Sequence, residues 1–286
     1  MGDVLFTSAI DGLLIGVIYG LAAMGLTLIF GVMDVINLAH GPLIALGMFG
    51  VYLLFTLLGL NPFLAVAIVA LLGLILGVII YFIAVNRVID APPLSSLLST
   101  FSVNMIIIGI GTAMLSTSSY NVDYSMGTMN LGFFKAPGAR IAASLVALLT
   151  TALLYIFLYR TRPGKYIRAV ANNRVSAELM GIPSTRILAL AFGIGVMLAM
   201  VAGGLIATIL PINILAGGSY ELKSFVIVVL GGLGNPLGAL IGGLILGLIE
   251  GIVPAFMKTT WVPVIEYVLF VLILLVRPQG ILGAKE

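Results

Sequence analysis

The sequence predicts an all-α integral membrane protein with about eight transmembrane segments. Of its 286 residues, 62% are hydrophobic and 8% are charged, whereas a soluble domain has about 25% charged residues. The apolar runs are continuous and lack the alternation that marks the strands of a membrane barrel. Helices are therefore expected to satisfy the backbone hydrogen bonds inside the lipid. We expect a single transmembrane domain over residues 1–286.

Eight apolar runs are candidates to cross the hydrocarbon, which takes about 20 residues in a helix. They cover residues 5–30, 42–59, 63–85, 97–116, 141–159, 187–213, 224–250 and 260–276. The first run is not expected to be a cleaved signal, because MGDVLFTSAIDG carries two aspartates and no basic residue. The chain has no cysteine, which excludes disulfides and thiolate metal sites. We expect the lipid bilayer as a partner, and we expect no binding to nucleic acid.

A polar stretch, GVMDVINLAHGP at 31–42, separates the first two runs. Asp34, Asn37 and His40 follow one another at i+3 steps, which rotate by about 60° each and make a poor metal-ligand set. No base or nucleophile nearby completes a catalytic site. Two interpretations stay open: these side chains cap a helix break at Gly41, or the break lines a solute path. We expect no catalytic residue, metal or cofactor.

A second break is predicted at Asn235 and Pro236. The stretches PLIAL at 42–46 and PLGAL at 236–240 share the pattern P-L-x-A-L, and each follows a Gly/Asn-rich break. Paired Gly/Pro-interrupted segments in two halves of a chain are typical of a transporter's path. The match indicates an internal repeat or a chance likeness of five residues. Asn235 and Pro236 join Asp34, Asn37, His40 and Gly41 as candidates for lining a path.

Glycine recurs at every fourth residue in three places. The series are Gly12, Gly16 and Gly20; Gly234, Gly238 and Gly242; and Gly243, Gly247 and Gly251. Small residues at this spacing let helix backbones approach closely. The faces either pack within the chain or form a subunit interface that slides during gating. Gly234, Gly238, Gly242 and Gly247 are our candidates for helix packing.

The region 160–186 concentrates positive charge. It holds six of the thirteen basic residues, with Glu178 as its only acid: Arg160, Arg162, Lys165, Arg168, Arg174 and Arg186. The positive-inside rule predicts that this loop is cytoplasmic. Pro163 suits a first helical turn, and Gly181 followed by Pro183 is a stop signal, so one or two short helices are expected. The loop is either a topology anchor or a docking element for a partner's groove.

Within this loop, VSAELMG at 175–181 resembles the coupling motif of ABC-importer permeases, E-A-A, three variable residues, then G. Ala177 and Gly181 match the motif, Val175 and Ser176 replace its Glu and Ala, and Glu178 is the nearby acid. The longer stretches 20–50, 168–182, 226–251 and 274–283 resemble the permease family of branched-chain amino acid ABC importers, and they cover nearly the whole chain in order.

The resemblance implies a permease subunit of an ATP-driven, binding-protein-dependent importer of branched-chain or related amino acids in the bacterial cytoplasmic (inner) membrane. The chain contains no G-x-x-x-x-G-K-[ST], so ATP hydrolysis is expected on separate ATP-binding cassette subunits. A second homologous permease and an extracytoplasmic solute-binding protein are the other expected partners. The ATPase-coupling candidates are Arg168, Arg174, Ala177, Glu178 and Gly181, and the binding protein is expected at 117–140.

An ion-coupled secondary transporter of small amino acids or amides is the alternative, and a channel or scaffold subunit is a third class. Ion-coupled carriers place acids in mid-membrane, and the predicted segments hold only Asp11, Asp34, Glu250 and Glu266, near helix ends. Eight simple crossings would put both termini outside, with Arg277 and Lys285 on the wrong side. A hairpin at 224–250, broken at 234–236, would return the C-terminus to the cytosol.

Overall fold

The helical prediction is confirmed by the computed structural model, which describes residues 2–115, 117–130, 135–277 and 279–283. Eight helices in these ranges are long and apolar enough to cross a membrane. The α-helices are α1 (Gly2–Met33), α2 (His40–Leu58), α3 (Pro62–Ile80), α4 (Pro93–Leu115), α5 (Gly138–Arg160), α6 (Arg162–Asn172), α7 (Arg174–Leu179), α8 (Ser184–Ala207), α9 (Ala216–Gly231), α10 (Pro236–Ile252) and α11 (Val262–Val276). A π-helical turn, Tyr81–Val85, extends α3.

The prediction of one continuous segment at 224–250 is wrong, because this stretch falls in two helices, α9 and α10. Gly232 and Gly234 have φ angles of 104° and 79° in the turn between them, a region that glycine enters without a Cβ clash. The side chain of Asn235 then accepts hydrogen bonds from the N–H groups of Leu237 and Gly238, and so caps α10. The Gly/Pro break was thus predicted correctly, whereas the start of α9 was placed eight residues too late, at 224 instead of Ala216.

The helices α9 and α10 form a hairpin whose outer ends lie on the same side. Gly238 packs directly on Gly231, and a Cβ at Gly242 would lie 2.7 Å from the carbonyl oxygen of Ile227. The 16 residues of α9 rise about 24 Å at 1.5 Å per residue, which is less than the roughly 30 Å of a bilayer core. The hairpin therefore enters and leaves at the same end of the molecule.

The C-terminal tail lies against the turn of this hairpin. The backbone N–H of Ile281 donates to the carbonyl of Leu230 at 2.9 Å, and a small cavity at the turn is also lined by Arg168 of α6. Arg277 therefore lies at the end of the molecule that carries residues 160–186, which we call the basic loop. The predicted hairpin required this placement. Lys285 lies outside the described residues.

Close glycine contacts join α1 to α10 in the centre of the fold. A Cβ at Gly16 would lie 2.6 Å from the carbonyl oxygen of Gly243, and one at Gly31 would lie 2.7 Å from the Cα of Gly234. Gly247 packs on Gly12 in the same seam, while Gly238 and Gly242 face α9. Within the chain, these small residues let helix backbones approach without side chains between them.

The polar region 117–140 lies at the end opposite the basic loop. The strands β1 (Thr128–Asn130) and β2 (Lys135–Pro137) pair antiparallel there. Tyr120 packs on Tyr52 of α2 with a centroid distance of 5.1 Å, and Arg140 at the start of α5 forms a 3.1 Å salt bridge with Asp11 of α1. The N-terminal half of α1 therefore lies at this end.

Candidate functional site

The basic loop contains two short helices held in place by side-chain caps. The hydroxyl of Thr161 accepts a hydrogen bond from Gly164 at the start of α6, and the side chain of Asn173 accepts one from Ser176 at the start of α7. Gly181 has a φ of 80°, the left-handed conformation in which helices commonly end. The loop is therefore a shaped element between α5 and α8.

Charged members of the predicted coupling set bind within the chain. Arg174 forms salt bridges with Asp90, at 2.7 Å, and with Glu178, at 3.2 Å. Glu178 also accepts a hydrogen bond from Ser184 at the start of α8. The hydrogen bonds from Ser184 and Arg174 lower the pKa of the Glu178 carboxyl, which is consequently ionised at neutral pH. These bonds connect α7 to the segment before α4 and to α8.

Arg168 and Ala177, two further residues of the predicted coupling set, have different surroundings from Arg174 and Glu178. The Arg168 side chain donates to the carbonyl of Leu158 at 3.1 Å, and its guanidinium lies 4.5 Å from the centroid of the Tyr159 ring. Ala177 is only 5% exposed and packs into the core. Ala177 therefore anchors the loop in the core, whereas Arg168 is exposed and is bonded to α5.

Three large apolar side chains of α7 and of the residue after it are exposed. Leu179 is 84% exposed, Met180 is 83% exposed and Val175 is 68% exposed. We call these three residues the α7 patch. The sequence analysis did not single out Met180, although two large apolar residues directly before the helix-ending Gly181 are a detectable signal. An apolar patch beside a ring of charged residues is typical of a protein interface.

The first break, between α1 and α2, does not bring Asp34, Asn37 and His40 together. Asp34 is exposed and has a φ of 54°, whereas Asn37 and His40 are fully buried. The ring Nε2 of His40 hydrogen-bonds the carbonyl oxygen of Ala22 in α1 at 3.0 Å. The Oδ1 atom of Asn37 accepts from the N–H of Ala39 at 3.1 Å. His40 therefore links two helices, and Asn37 stabilises the turn before α2.

The start of α2 meets the start of α9 inside the fold. A Cβ at Gly217 would lie 2.6 Å from the carbonyl oxygen of Gly41, and one at Gly41 would lie 2.8 Å from Oε2 of Glu221. The same Cβ would lie 2.7 Å from the Cβ of Glu221, so the start of α2 packs directly on this side chain. The first turns of α2 and α9 thus lie against each other, and the acid Glu221 lies at their contact.

Polar side chains of α4 contact the same region, where the starts of α2 and α9 meet. The Nδ2 atom of Asn104 donates to the carbonyl of Leu38 at 2.5 Å and to Oε2 of Glu221 at 3.4 Å. The hydroxyl of Thr100 donates to the carbonyl of Ile36 at 3.0 Å and can accept from the N–H of Leu38 at 3.3 Å. We call Asn37, Gly41, Asn104 and Glu221 the central polar cluster.

Sequence reasoning missed Glu221 because the predicted segment began at 224. The signal was the tetrapeptide YELK at 220–223, two ionisable residues beside an apolar run. Lys223 also lies inside α9, where it forms a 2.5 Å salt bridge with Glu250 of α10. Glu266 of α11 is only 1% exposed. The membrane-spanning part therefore holds more ionisable groups than the sequence segments indicated.

Asn235 and Pro236 lie apart from this cluster, at the turn of the α9–α10 hairpin. Besides its capping contacts, Asn235 donates through Nδ2 to the carbonyl of Leu282 in the C-terminal tail at 3.0 Å. Pro236 lines the small cavity near Arg168. Among the residues that the structure describes, no group of three or more His, Cys, Asp or Glu side chains could hold a metal ion.

Comparisons with known proteins match nearly the whole chain. The family model for the permease component of branched-chain amino acid transport systems matches residues 8–276. The high-affinity branched-chain amino acid transport permease LivH of Salmonella typhimurium is 30% identical, over 96% of this chain and 94% of that protein. BraD of Pseudomonas aeruginosa, of the same description, is 31% identical over 97% and 95%. A probable LivH permease of Methanocaldococcus jannaschii is 28% identical over 92% and 88%.

Proposed function

Because the chain belongs to the family of branched-chain amino acid transport permeases, we propose that it is one membrane subunit of an ATP-driven importer for branched-chain or related amino acids. The hydrolysis of ATP takes place on a separate ATP-binding cassette subunit, and a second permease and a solute-binding protein complete the complex. The observation that carries this proposal is the exposed α7 patch on the basic loop. A patch of this kind has no role inside the fold and fits a partner's groove.

In this proposal α7 transmits the movement of the ATPase. Arg174 connects α7 to Asp90 in the segment before α4, and Glu178 connects it to Ser184 of α8. The helix α8 packs on α2, where Gly203 contacts Ile44 and Gly47 contacts Met200. A displacement of α7 is therefore passed to the helices that surround the central polar cluster, which we place on the solute path.

The test replaces one exposed methionine with aspartate at each of the two ends of the molecule. We expect Met180→Asp to reduce co-purification of the ATPase and ATP-driven uptake by tenfold or more, because a charge would enter an apolar groove. The matched control is Met257→Asp, an exposed methionine (54%) between α10 and α11. Both variants should insert and fold like the parent. Equal ATPase binding by the two variants would remove the α7 patch from the coupling interface.

The ion-coupled carrier is the second candidate, and Glu221 is the observation that favours it. This buried acid lies within the membrane-spanning part, where such residues commonly bind a driving ion. The two candidates differ in their energy source. Uptake by proteoliposomes that contain the complete complex should require ATP and resist an ionophore that collapses the proton and sodium gradients. Uptake that stops with the ionophore and continues without ATP would favour the carrier.

A further inference from the structure

The central polar cluster contains polar atoms that lack partners in a fully enclosed environment. In the described part of the chain, the donor Nδ2 of Asn37 and the acceptor Oδ1 of Asn104 are buried without a hydrogen-bond partner. Asn37 is fully buried and Asn104 is 8% exposed. A buried polar group without a partner is unfavourable, because it has lost its hydrogen bonds to water. Asn37 directly precedes Leu38 in the chain, and Asn104 donates to the Leu38 carbonyl. One free donor and one free acceptor on residues next to Leu38 indicate a ligand that offers both functions.

The charge of the cluster indicates the same kind of ligand. Glu221 is 9% exposed, and no salt bridge reaches it within the residues that the structure describes. Lys223, two residues further along α9, is engaged by Glu250. A carboxylate in the interior of a membrane protein is strongly stabilised by a cation. The amino group of an amino acid is such a cation, and it arrives together with a carboxylate.

An apolar cavity of about 210 Å³ begins one helical turn after Glu221 along α9. Its lining includes Phe225 and Val228 of α9, which share one helical face with Glu221 because they follow it at i+4 and i+7. The lining also includes Ile36, whose carbonyl accepts the hydrogen bond from Thr100 at the edge of the cluster. Along α9, the charged group of Glu221 is therefore followed by the apolar lining of the cavity.

From this juxtaposition we propose that the central polar cluster and the adjoining cavity form a transient binding site for a zwitterionic aliphatic amino acid. Glu221 and Oδ1 of Asn104 receive the ammonium group. The N–H of Gly41 at the start of α2, together with Nδ2 of Asn37, receives the carboxylate, since a helix N-terminus favours an anion. The aliphatic side chain occupies the cavity lined by Phe225 and Val228. The inference rests on the proposed function, since it names the groups that recognise the imported solute.

Without the amino acid, Oε2 of Glu221 lies against the start of α2, 2.8 Å from the position of a Cβ at Gly41, where the solute's carboxylate lies when bound. The acid therefore acts as an internal substitute for the ligand's anion. Entry of an amino acid replaces this contact with a hydrogen bond between the solute and Gly41, and turns Glu221 toward the ammonium.

The test measures binding of tritiated L-leucine to the assembled complex in lipid nanodiscs, without the solute-binding protein. We expect Glu221→Gln to weaken binding by roughly tenfold or more, the effect of losing one charge-assisted contact. The control is Glu266→Gln, another buried acid, on α11, which should bind like the parent. Unchanged leucine binding in Glu221→Gln would overturn the proposal.

Competition by analogues on the unmodified complex provides a second measurement that does not depend on how the variants fold. L-isoleucine should compete fully, whereas 4-methylpentanoate, which lacks the ammonium group, and 3-methylbutylamine, which lacks the carboxylate, should compete at least tenfold more weakly. Equal competition by 4-methylpentanoate would show that the ammonium is not recognised and would overturn the site.

ATP-driven uptake separates this inference from the proposed function. Uptake of leucine by the complete unmodified complex, with its binding protein, tests the function alone. If the unmodified complex imports leucine while Glu221→Gln imports it equally well, only the binding site is wrong. If the unmodified complex imports no aliphatic amino acid under ATP, the function itself is wrong.

Discussion

The two breaks of the chain share a sequence pattern but lie in opposite surroundings. At the first break, Asn37, His40 and Gly41 are buried, and the start of α2 touches the start of α9. At the second break, Gly234 is exposed and Asn235 is bonded to the C-terminal tail. The P-L-x-A-L pattern therefore indicates where a helix restarts after a break. Its depth in the fold depends on which helices pack around it.

The largest expected effect that distinguishes the breaks comes from Gly41→Ala. The added methyl group would overlap the carbonyl oxygen of Gly217, and overpacking of this kind costs about 1–3 kcal/mol. We expect near-complete loss of uptake and a lower thermal stability of the purified complex. The matched control is Gly218→Ala, because a Cβ there meets nothing within 4 Å. If Gly41→Ala transports like Gly218→Ala, the α2–α9 contact is not needed on the path.

The depth of each break could not be read from the sequence, although much of the fold could. Continuous apolar runs predicted seven of the eight spans, and Gly, Asn and Pro predicted the restart at Pro236, where the remaining span begins. The burial of Gly41 depends on Gly217, which is 176 residues away in the chain, and no local pattern predicts that pairing. The same limit hid Glu221, because its acidic side chain argued against a membrane helix until its contacts with Gly41 and Asn104 were visible.

A smaller effect is expected from Gly234→Ala at the second break. Its φ of 79° is a conformation that costs an ordinary residue about 1–2 kcal/mol. The variant should therefore unfold at a lower temperature than the parent, yet transport at a rate within twofold of it. Thermal unfolding and uptake by the same preparation check this expectation. Loss of uptake by a variant that stays folded would place the second break on the solute path as well.

A still smaller change is expected for Asn235→Ala, which removes the cap of α10 and the bond to Leu282. Loss of a helix cap costs about 1 kcal/mol. Asn235→Asp separates the two contacts, since it keeps the capping oxygen and loses the donor to Leu282. We expect Asn235→Asp to unfold at a temperature between those of the parent and Asn235→Ala. If both variants unfold together, the tail contact carries the whole effect.

The smallest expected effect is that of His40→Gln at the first break. His40 is the only histidine of the chain, and it is fully buried with a hydrogen bond from its ring to the carbonyl of Ala22. Glutamine keeps a donor for that carbonyl but cannot take up a proton. A transporter that takes its energy from ATP does not need this residue to titrate, so His40→Gln should retain substantial uptake and the pH profile of the parent. His40→Leu should be worse tolerated, because it removes the hydrogen bond between α1 and α2.

The measurement is ATP-driven uptake by proteoliposomes with an ionophore present. It covers about pH 5.5 to 8, the range around the usual histidine pKa. If His40→Gln loses uptake and the parent is sensitive to the ionophore, the first break carries protons and the ion-coupled carrier replaces the ATP-driven importer.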